Sequence, residues 1–313
     1  MTTGETTPEP QLRLPLPVVG VVAALLVLGL TLSVAAGGDW WQVLVLGVVQ
    51  GLTEFLPISS TGHLLIVSRL LGFQNSIGGT FEIFIQLGTV FSVLAFYGAD
   101  LLRQVRAVAG QGNADEMRAA RRLWLALLVA FVPAALVGAA FRTQIKAVLF
   151  ESPATIAYAL IVGGVALLLI ELLPRRRAQT TALSDVSLAQ ALGVGLAQVL
   201  ALVPGVSRSG SSIVGGLVGG LDRRTATAFS FYLAIPTLGA ATLVDMLGAV
   251  RDGQIGAGDV GRLLLGAVVA MIVGWLSIGW LLRYVSRNSY VLFGVYRIVA
   301  GALILALVAA GRL

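Results

Sequence analysis

Residues 50–63 read QGLTEFLPISSTGH, and residues 204–212 read PGVSRSGSS. Each stretch interrupts a long apolar segment, 40–72 in the first case and 188–221 in the second, with proline, glycine and a cluster of hydroxyl side chains. Proline and glycine weaken helical hydrogen bonding, so a break at membrane depth persists only where protein or a water-filled cavity bonds the freed groups. We therefore predict two re-entrant hairpins, each made of two half-length helices.

The rest of the chain is apolar enough for a multi-pass membrane protein. Hydrophobic residues make up 57% of the 313 residues and charged residues 12%, about half the charged share of a soluble domain. An apolar helix of about 20 residues crosses the hydrocarbon core of a bilayer. Such spans are predicted at 17–37, 81–99, 122–141, 154–173, 226–248, 262–282 and 291–311. The apolar run of the first exceeds the core of a signal peptide, so we expect this helix to be retained.

Basic residues outnumber acidic ones, with 21 Lys and Arg against 15 Asp and Glu. A basic surplus can indicate a nucleic-acid partner, but here most arginines lie in short loops between spans. These loops are 100–121, 174–187, 222–225 and 283–290. The positive-inside rule places them and the amino terminus in the cytoplasm, and the carboxyl terminus outside. The expected partners are membrane lipids and no nucleic acid, and the lack of cysteine excludes disulfides and thiolate metal sites.

The two broken segments also match each other, because one constant shift along the chain superposes identical residues without a gap. The matched pairs are Gly47 with Gly195, Gln50 with Gln198, Leu52 with Leu200, Ser59 with Ser207, Gly62 with Gly210, Phe81 with Phe229 and Thr89 with Thr237. Three complete spans lie between the segments, an odd number, so the second copy is expected to be inverted.

We therefore predict an all-α, polytopic membrane protein with an inverted-topology repeat and two re-entrant hairpins. Residues 1–39 are expected to form a tail and one additional transmembrane helix, and residues 40–313 the membrane domain. Within that domain, repeat 1 covers about 40–173 and repeat 2 about 188–311.

The second half of each hairpin begins near the middle of the bilayer, where its first N–H groups are free. Helix starts attract anions, and starts near Ser60 and Ser209 would point at one central region from opposite sides. Arg208 adds a permanent charge with forked donors that match phosphate oxygens, and its burial requires a partner such as Glu54 or a phosphate. The substrate-binding groups predicted for this phosphate site are Gln50, Ser59, Thr61, Ser207, Ser209, Gly210 and Ser212.

The first break also carries candidate catalytic side chains. Gln50 and Glu54 are four residues apart and so share a helix face. His63, the only histidine, follows Ser60 by three residues, a spacing at which a hydroxyl and an imidazole can act as nucleophile and base. Glu54 is expected to orient His63 or to bind a divalent cation, Mg²⁺ or Ca²⁺, with the substrate's phosphates completing the ligand set.

Each of these residues also has a structural interpretation. A serine in an apolar helix often bonds back to a carbonyl of its own helix, and a membrane Glu or His can be a hydrogen-bond partner only. Arg297 lies near the start of its span, so snorkelling to the cytoplasmic surface is at least as well supported as a functional role. The coincidence of Glu, Ser, His and Arg side chains at the two breaks favours the catalytic interpretation.

Both breaks resemble the signatures of the undecaprenyl-diphosphatase family that is associated with bacitracin resistance. The chain has Gln50 where the first signature takes Glu or Gln, and Ser212 where the second normally ends in Thr. The resemblance covers about residue 40 to the carboxyl end and implies six spanning helices with two re-entrant pairs. The central residues that it implies are Glu54, Ser60, His63 and Arg208. The nucleophile would then be Ser60 or His63, and the residue pattern leaves a metal-bound water as a third candidate.

The resemblance implies hydrolysis of undecaprenyl diphosphate to undecaprenyl phosphate and inorganic phosphate at the outer face of the bacterial inner membrane. Such an enzyme recycles the carrier lipid of peptidoglycan synthesis and confers bacitracin resistance. The residue patterns also allow a transporter or flippase of a phosphorylated lipid, because inverted repeats with broken helices are typical of secondary transporters. A carrier needs an anion site but no nucleophile, so substitution of Ser60 and Glu54 distinguishes the two functions.

Overall fold

The computed structural model describes residues 40–73, 80–141, 152–172, 178–253, 255–256 and 259–313, with the single positions Val27, Thr31 and Val34. Apart from those three positions, the predicted span at 17–37 lies outside the described residues, so the additional helix stays a prediction. The α-helices of the described part are α1 (Trp40–Thr53), α2 (Ser60–Leu70), α3 (Thr80–Phe96), α4 (Gly98–Val108), α5 (Ala114–Ala140), α6 (Pro153–Leu172), α7 (Leu188–Val199), α8 (Arg208–Val218), α9 (Arg223–Arg251), α10 (Val260–Arg287) and α11 (Val291–Ala309).

Five helices are long and apolar enough to cross a membrane, namely α5, α6, α9, α10 and α11. A sixth span results if α3 and α4, which are bent by 73° at the break between them, are taken together. In the described ranges no strand forms, and an isolated bridge joins Thr180 to Leu221. The protein is therefore an all-helical, multi-pass membrane protein in its described part, as predicted.

Helix α4 corrects the prediction of a loop at 100–121. Its apolar residues recur at helical spacing, with Leu101 packed against a buried cluster and Leu102 on the exposed side. The hydroxyl of Tyr232 on α9 donates to the carboxylate of Asp100, which ties the start of α4 to the bundle. Because this segment also carries charged residues, a search for long apolar spans does not detect it as an amphipathic helix.

Both predicted hairpins are present, as α1 with α2 and as α7 with α8. Helix α1 has 14 residues and α2 has 11, too few to cross a bilayer of about 30 Å at about 1.5 Å per residue. The second helix of each hairpin follows a serine with positive φ, Ser59 at 72° and Ser207 at 77°. Each serine side chain accepts from the N–H three residues on, at Gly62 and Gly210. The two breaks thus share one strained cap, as a duplication predicts, while the limits of the repeats stay predictions.

The repeat-related glycines Gly47 and Gly195 occupy equivalent close contacts. A Cβ atom at Gly47 of α1 would lie 2.9 Å from the carbonyl oxygen of Gly266 on α10. A Cβ atom at Gly195 of α7 would lie 2.5 Å from that of Ala130 on α5. Small residues let helices approach closely in a membrane, so the first helix of each hairpin is seated against one long span.

A buried apolar cluster holds the two hairpins together around their breaks. Phe55 and Ile58 of the first break pack with Ile213 of α8 and Phe231 of α9. The rings of Phe55 and Phe231 meet edge to face, with centroids 5.2 Å apart. This packing brings the polar residues of both breaks to one region inside the bundle.

Candidate active site

An ion pair joins the two breaks, since Nη2 of Arg208 lies 3.3 Å from Oε1 of Glu54. The residues are 154 positions apart in the chain, and their side chains are 9% and 3% exposed. Burial of either charge without the other would be costly, so each charge stabilises the other at this position. The structure therefore contains the predicted meeting of the two breaks.

The second oxygen of Glu54 holds the hydroxyl of Ser60. Ser60 Oγ donates to Oε2 at 2.6 Å, and Nε2 of Gln50 donates to the same oxygen at 3.0 Å. All three residues are buried. Because Ser60 is the first residue of α2, its hydroxyl lies at a helix start with a carboxylate base in contact.

His63 lies outside this contact, which corrects the expected pairing of Ser60 with His63. Its Nδ1 is 2.7 Å from the carbonyl oxygen of Ser59, and its Nε2 is 2.6 Å from the hydroxyl of Tyr296 on α11. Both ring nitrogens thus have partners other than Ser60. Helical spacing allowed the pair, but the Ser60 hydroxyl turns inward to Glu54 while the imidazole faces α11.

Arg208 and Gln50 each leave one polar atom free at the site. Nη1 of Arg208 donates to the carbonyl of Ser230 at 2.8 Å and to its hydroxyl at 3.3 Å. Nε of Arg208 and Oε1 of Gln50 are buried without a hydrogen-bond partner. Buried polar atoms are rarely left unpaired. The free donor of Arg208 and the free acceptor of Gln50 are therefore suited to bind an oxygen-rich ligand or ordered water.

The predicted substrate-binding hydroxyls of the second break mainly bond within the protein. Ser209 Oγ donates to the carbonyl of Leu56 at 2.9 Å and thereby links the second break to the first. Ser212 Oγ is 2.7 Å from the hydroxyl of Ser230, the residue that holds Arg208. Ser207 Oγ caps α8 and is 3.0 Å from Ser209 Oγ. These hydroxyls therefore connect the second break to the first and to the residue that holds Arg208.

The remaining predicted binding residues have different surroundings. Ser59 caps α2 through Gly62, and Thr61 is partly exposed on the first turn of α2. A Cβ atom at Gly210 would lie 3.1 Å from Nη1 of Arg297, so Gly210 makes room for that guanidinium. The substrate-binding role of these residues stays a prediction.

Arg297 is the main residue whose position the sequence did not predict. It is 1% exposed and donates to the carbonyl of Pro57 at 3.0 Å in the first break. In the second break it donates to Gly205 and Val206, both at 2.9 Å. The expected snorkelling is therefore wrong, because the carbonyls freed by both breaks draw the charge inward.

Helix α6 completes the surroundings of Arg297. The guanidinium donates to the carbonyls of Leu160 and Ala159, each at 3.2 Å. A Cβ atom at Gly163 would overlap the guanidinium, so this glycine provides its space. In the sequence, Arg297 lies inside one apolar span, and Gly163 and Gly164 lie inside another. This combination could have indicated the contact.

The site offers one carboxylate for a divalent cation. Both oxygens of Glu54 already accept hydrogen bonds, and nowhere in the described ranges do three His, Asp or Glu side chains converge. This arrangement does not fit a cation held by the protein alone. Dependence on Mg²⁺ or Ca²⁺ stays a prediction that needs ligands from the substrate's phosphates.

Known proteins resemble this chain over most of its length. Residues 43–303 match the family model of the bacitracin resistance protein BacA. An undecaprenyl-diphosphatase of Deinococcus deserti is 46% identical over 278 residues, which cover 87% of this chain and 97% of the relative. Its counterpart in Deinococcus radiodurans is 46% identical over 281 residues, 88% of this chain and 97% of the relative.

A relative from another genus gives the same result. Undecaprenyl-diphosphatase 1 of Burkholderia lata is 42% identical over 274 residues, which cover 85% of this chain and 96% of the relative. The family match includes most of α1, both breaks and most of α11. With such a match and such relatives, the chain belongs to the family of the bacitracin resistance protein BacA.

Proposed function

We propose that this chain is an undecaprenyl-diphosphatase, which hydrolyses undecaprenyl diphosphate to undecaprenyl phosphate and inorganic phosphate. The relatives that align along almost their whole length bear this enzyme name. The observation that carries the chemistry is the 2.6 Å hydrogen bond from Ser60 Oγ to Glu54, whose other oxygen pairs with Arg208. A hydroxyl, a carboxylate and a guanidinium in contact are a nucleophile, a base and a phosphate clamp.

In the proposed first step, Oγ of Ser60 attacks the terminal phosphorus of the lipid diphosphate, and its proton passes to Oε2 of Glu54. The bond from this phosphorus to the bridging oxygen breaks, and undecaprenyl phosphate leaves with that oxygen. In the second step, water attacks the phosphoserine, and Glu54 returns the proton to the departing oxygen of Ser60. Both protons of the water leave with inorganic phosphate, so Ser60 and Glu54 return to their starting protonation states.

Positive charge and free donors supply the electrostatic part of this mechanism. Phosphoryl transfer is accelerated mainly by groups that are placed in advance around the charged phosphate oxygens. Arg208 offers a buried Nε without a partner, and the starts of α2 and α8 add helix N–H groups. Arg297 fixes the carbonyls around both breaks and so keeps these donors in place.

We place the enzyme in the bacterial inner membrane with its site open to the outer face, where it would recycle the lipid carrier of peptidoglycan synthesis and confer bacitracin resistance. The distribution of arginine supports this orientation. Helix α9 begins with Arg223 and Arg224, and the last turns of α10 carry Arg283 and Arg287, on the side assigned to the cytoplasm.

Phosphate release from undecaprenyl diphosphate by the purified protein in lipid nanodiscs tests the proposal. Ser60→Ala and Glu54→Gln should each lower the rate about a hundredfold or more, since one removes the nucleophile and the other the base. Ser286→Ala, at the exposed end of α10, is the control and should keep the parental rate. Parental rates in both site variants would overturn the mechanism. Lipid exchange between leaflets without phosphate release would support the flippase instead.

A further inference from the structure

His63 and Tyr296 form a pair that the proposed chemistry does not use. The hydroxyl of Tyr296 lies 2.6 Å from Nε2 of His63, and the two rings stack with centroids 5.6 Å apart and planes 11° from parallel. Tyr296 precedes Arg297 on α11, so consecutive residues of one helix contact both α2 and the breaks. This double contact fixes α11 against the first break.

The partners of His63 determine which ring nitrogen carries the proton. A carbonyl oxygen can only accept, so the 2.7 Å contact between Nδ1 and the oxygen of Ser59 requires a proton on Nδ1. In the neutral ring Nε2 then has no proton and accepts from the hydroxyl of Tyr296. The geometry therefore selects the Nδ1–H tautomer of His63.

The residue that His63 holds is the strained cap before the nucleophile. Ser59 has φ 72° and ψ 92°, a conformation that a non-glycine residue keeps only when its surroundings impose it. Its carbonyl accepts from the backbone N–H of His63 at 3.2 Å as well as from Nδ1. The next residue is Ser60, whose hydroxyl position depends on this turn.

The second break supplies an internal comparison. Ser207 has the same positive φ, and its carbonyl accepts from the backbone N–H of Ser211 at 2.9 Å. Ser211 stands where the repeat has His63, and its hydroxyl bonds to the carbonyl of Arg208 instead. The first break, which carries Ser60, therefore has a hydrogen bond from an imidazole to the cap carbonyl, and the second break has none at the equivalent position.

We propose that Tyr296 is a positioning residue of the active site: its hydroxyl donates to Nε2 and holds the ring of His63 in place. His63, with its proton on Nδ1, in turn donates to the carbonyl of Ser59 and so orients Ser60. His63 is accordingly a second positioning residue and not the base. The kinetic part of this inference rests on the proposed phosphatase function, whereas the tautomer does not.

The tautomer can be measured directly, because His63 is the only histidine of the chain. Full-length protein labelled with ¹⁵N-histidine and purified through a histidine-free tag gives one imidazole in nitrogen NMR. The parental protein should show a protonated Nδ1 and an unprotonated, hydrogen-bonded Nε2. Tyr296→Phe keeps the stacked ring and removes the hydroxyl, so Nδ1 should stay protonated while the Nε2 resonance moves towards that of a nitrogen without a hydrogen bond. An Nε2–H tautomer in the parental protein would overturn the proposal whatever the substrate is.

Kinetics of phosphate release test the consequence for Ser60. Tyr296→Phe should lower kcat about tenfold with little change in KM, the size expected for one lost hydrogen bond to a positioned group. Tyr158→Phe, a 61% exposed tyrosine on α6, is the matched control and should keep the parental kcat. A parental kcat in Tyr296→Phe would contradict the positioning role.

A pair of amide substitutions separates positioning from base catalysis. The amide nitrogen of Asn in His63→Asn takes the place of Nδ1, whereas that of Gln in His63→Gln takes the place of Nε2. Positioning predicts that His63→Asn keeps about tenfold more activity than His63→Gln, because only Asn can donate to the carbonyl of Ser59. Equal, complete loss in both variants would assign His63 a direct chemical role and reject the proposal.

Discussion

Arg208 and Glu54 form an ion pair that spans the two breaks, with Nη2 and Oε1 3.3 Å apart. Among the described residues, no other charged side chain pairs with either of them. The pair therefore has two separable functions. It neutralises two buried charges, which affects stability, and it presents a guanidinium beside Ser60, which affects catalysis.

Charge substitutions at this pair should separate stability from activity. Arg208→Gln leaves Glu54 buried without its counter-ion and should destabilise the protein by about 3–5 kcal/mol. The double variant Glu54→Gln with Arg208→Gln removes both charges and should recover most of the lost unfolding temperature. Neither variant should release phosphate at a measurable fraction of the parental rate. A double variant less stable than Arg208→Gln would show that the two charges do not compensate each other.

Arg297 should be required for folding as well as for activity. Its guanidinium satisfies carbonyls in both breaks and in α6, so Arg297→Gln leaves several of them unpaired inside the bundle. We expect a loss of about 3–5 kcal/mol and a lower yield of monodisperse protein. Arg297→Lys should rescue only partly, because an ammonium cannot span the same carbonyls. Arg251→Gln, at the exposed end of α9, is the control, and an equal effect there would refute the assignment.

The hydroxyl of Ser209 should matter more than that of Ser211. Ser209 donates across the breaks to the carbonyl of Leu56, whereas Ser211 bonds within its own helix. Ser209→Ala should cost about 1 kcal/mol of stability and lower phosphate release severalfold, since it loosens the contact between the two breaks. Ser211→Ala should have the smaller effect on both readouts. The reverse order would mean that the contact with Leu56 does not hold the breaks together.

Removal of divalent cations should affect activity without affecting the fold. Glu54 already accepts three hydrogen bonds, so the protein alone does not form a cation cage. If Mg²⁺ or Ca²⁺ arrives with the diphosphate, a chelator should slow phosphate release and leave the unfolding temperature of the substrate-free protein unchanged. A chelator-induced drop in that temperature would reveal a resident cation.

The sequence predicted the breaks well because local chemistry determines them. Proline, glycine and serine end one helix and begin the next, so the predicted starts at Ser60 and Ser209 agree with helices that begin at Ser60 and Arg208. The convergence of the breaks followed from the cost of a buried arginine without a partner.

The missing parts of the prediction depend on residues far away in the chain. The partner of His63 is Tyr296, 233 positions further on, and helical spacing contains no information about such a contact. The position of Arg297 is hidden from the sequence for a similar reason, because its carbonyl partners come from three separate segments. Periodicity indicates which face a side chain occupies and not which helix covers it.

The repeat predicts a last effect on stability, at the glycines through which each hairpin contacts a long helix. A methyl group at Gly195 of α7 would lie 2.5 Å from the carbonyl oxygen of Ala130, so Gly195→Ala must push α7 away from α5. We expect a loss of about 1–3 kcal/mol, seen as a lower unfolding temperature. At Gly193 on the same helix a Cβ atom would meet open space, so Gly193→Ala should be neutral or slightly stabilising. Gly47→Ala should resemble Gly195→Ala, because its methyl would approach the carbonyl of Gly266 to 2.9 Å. If Gly47→Ala and Gly195→Ala were as stable as Gly193→Ala, the two hairpins would not be held by equivalent helix contacts.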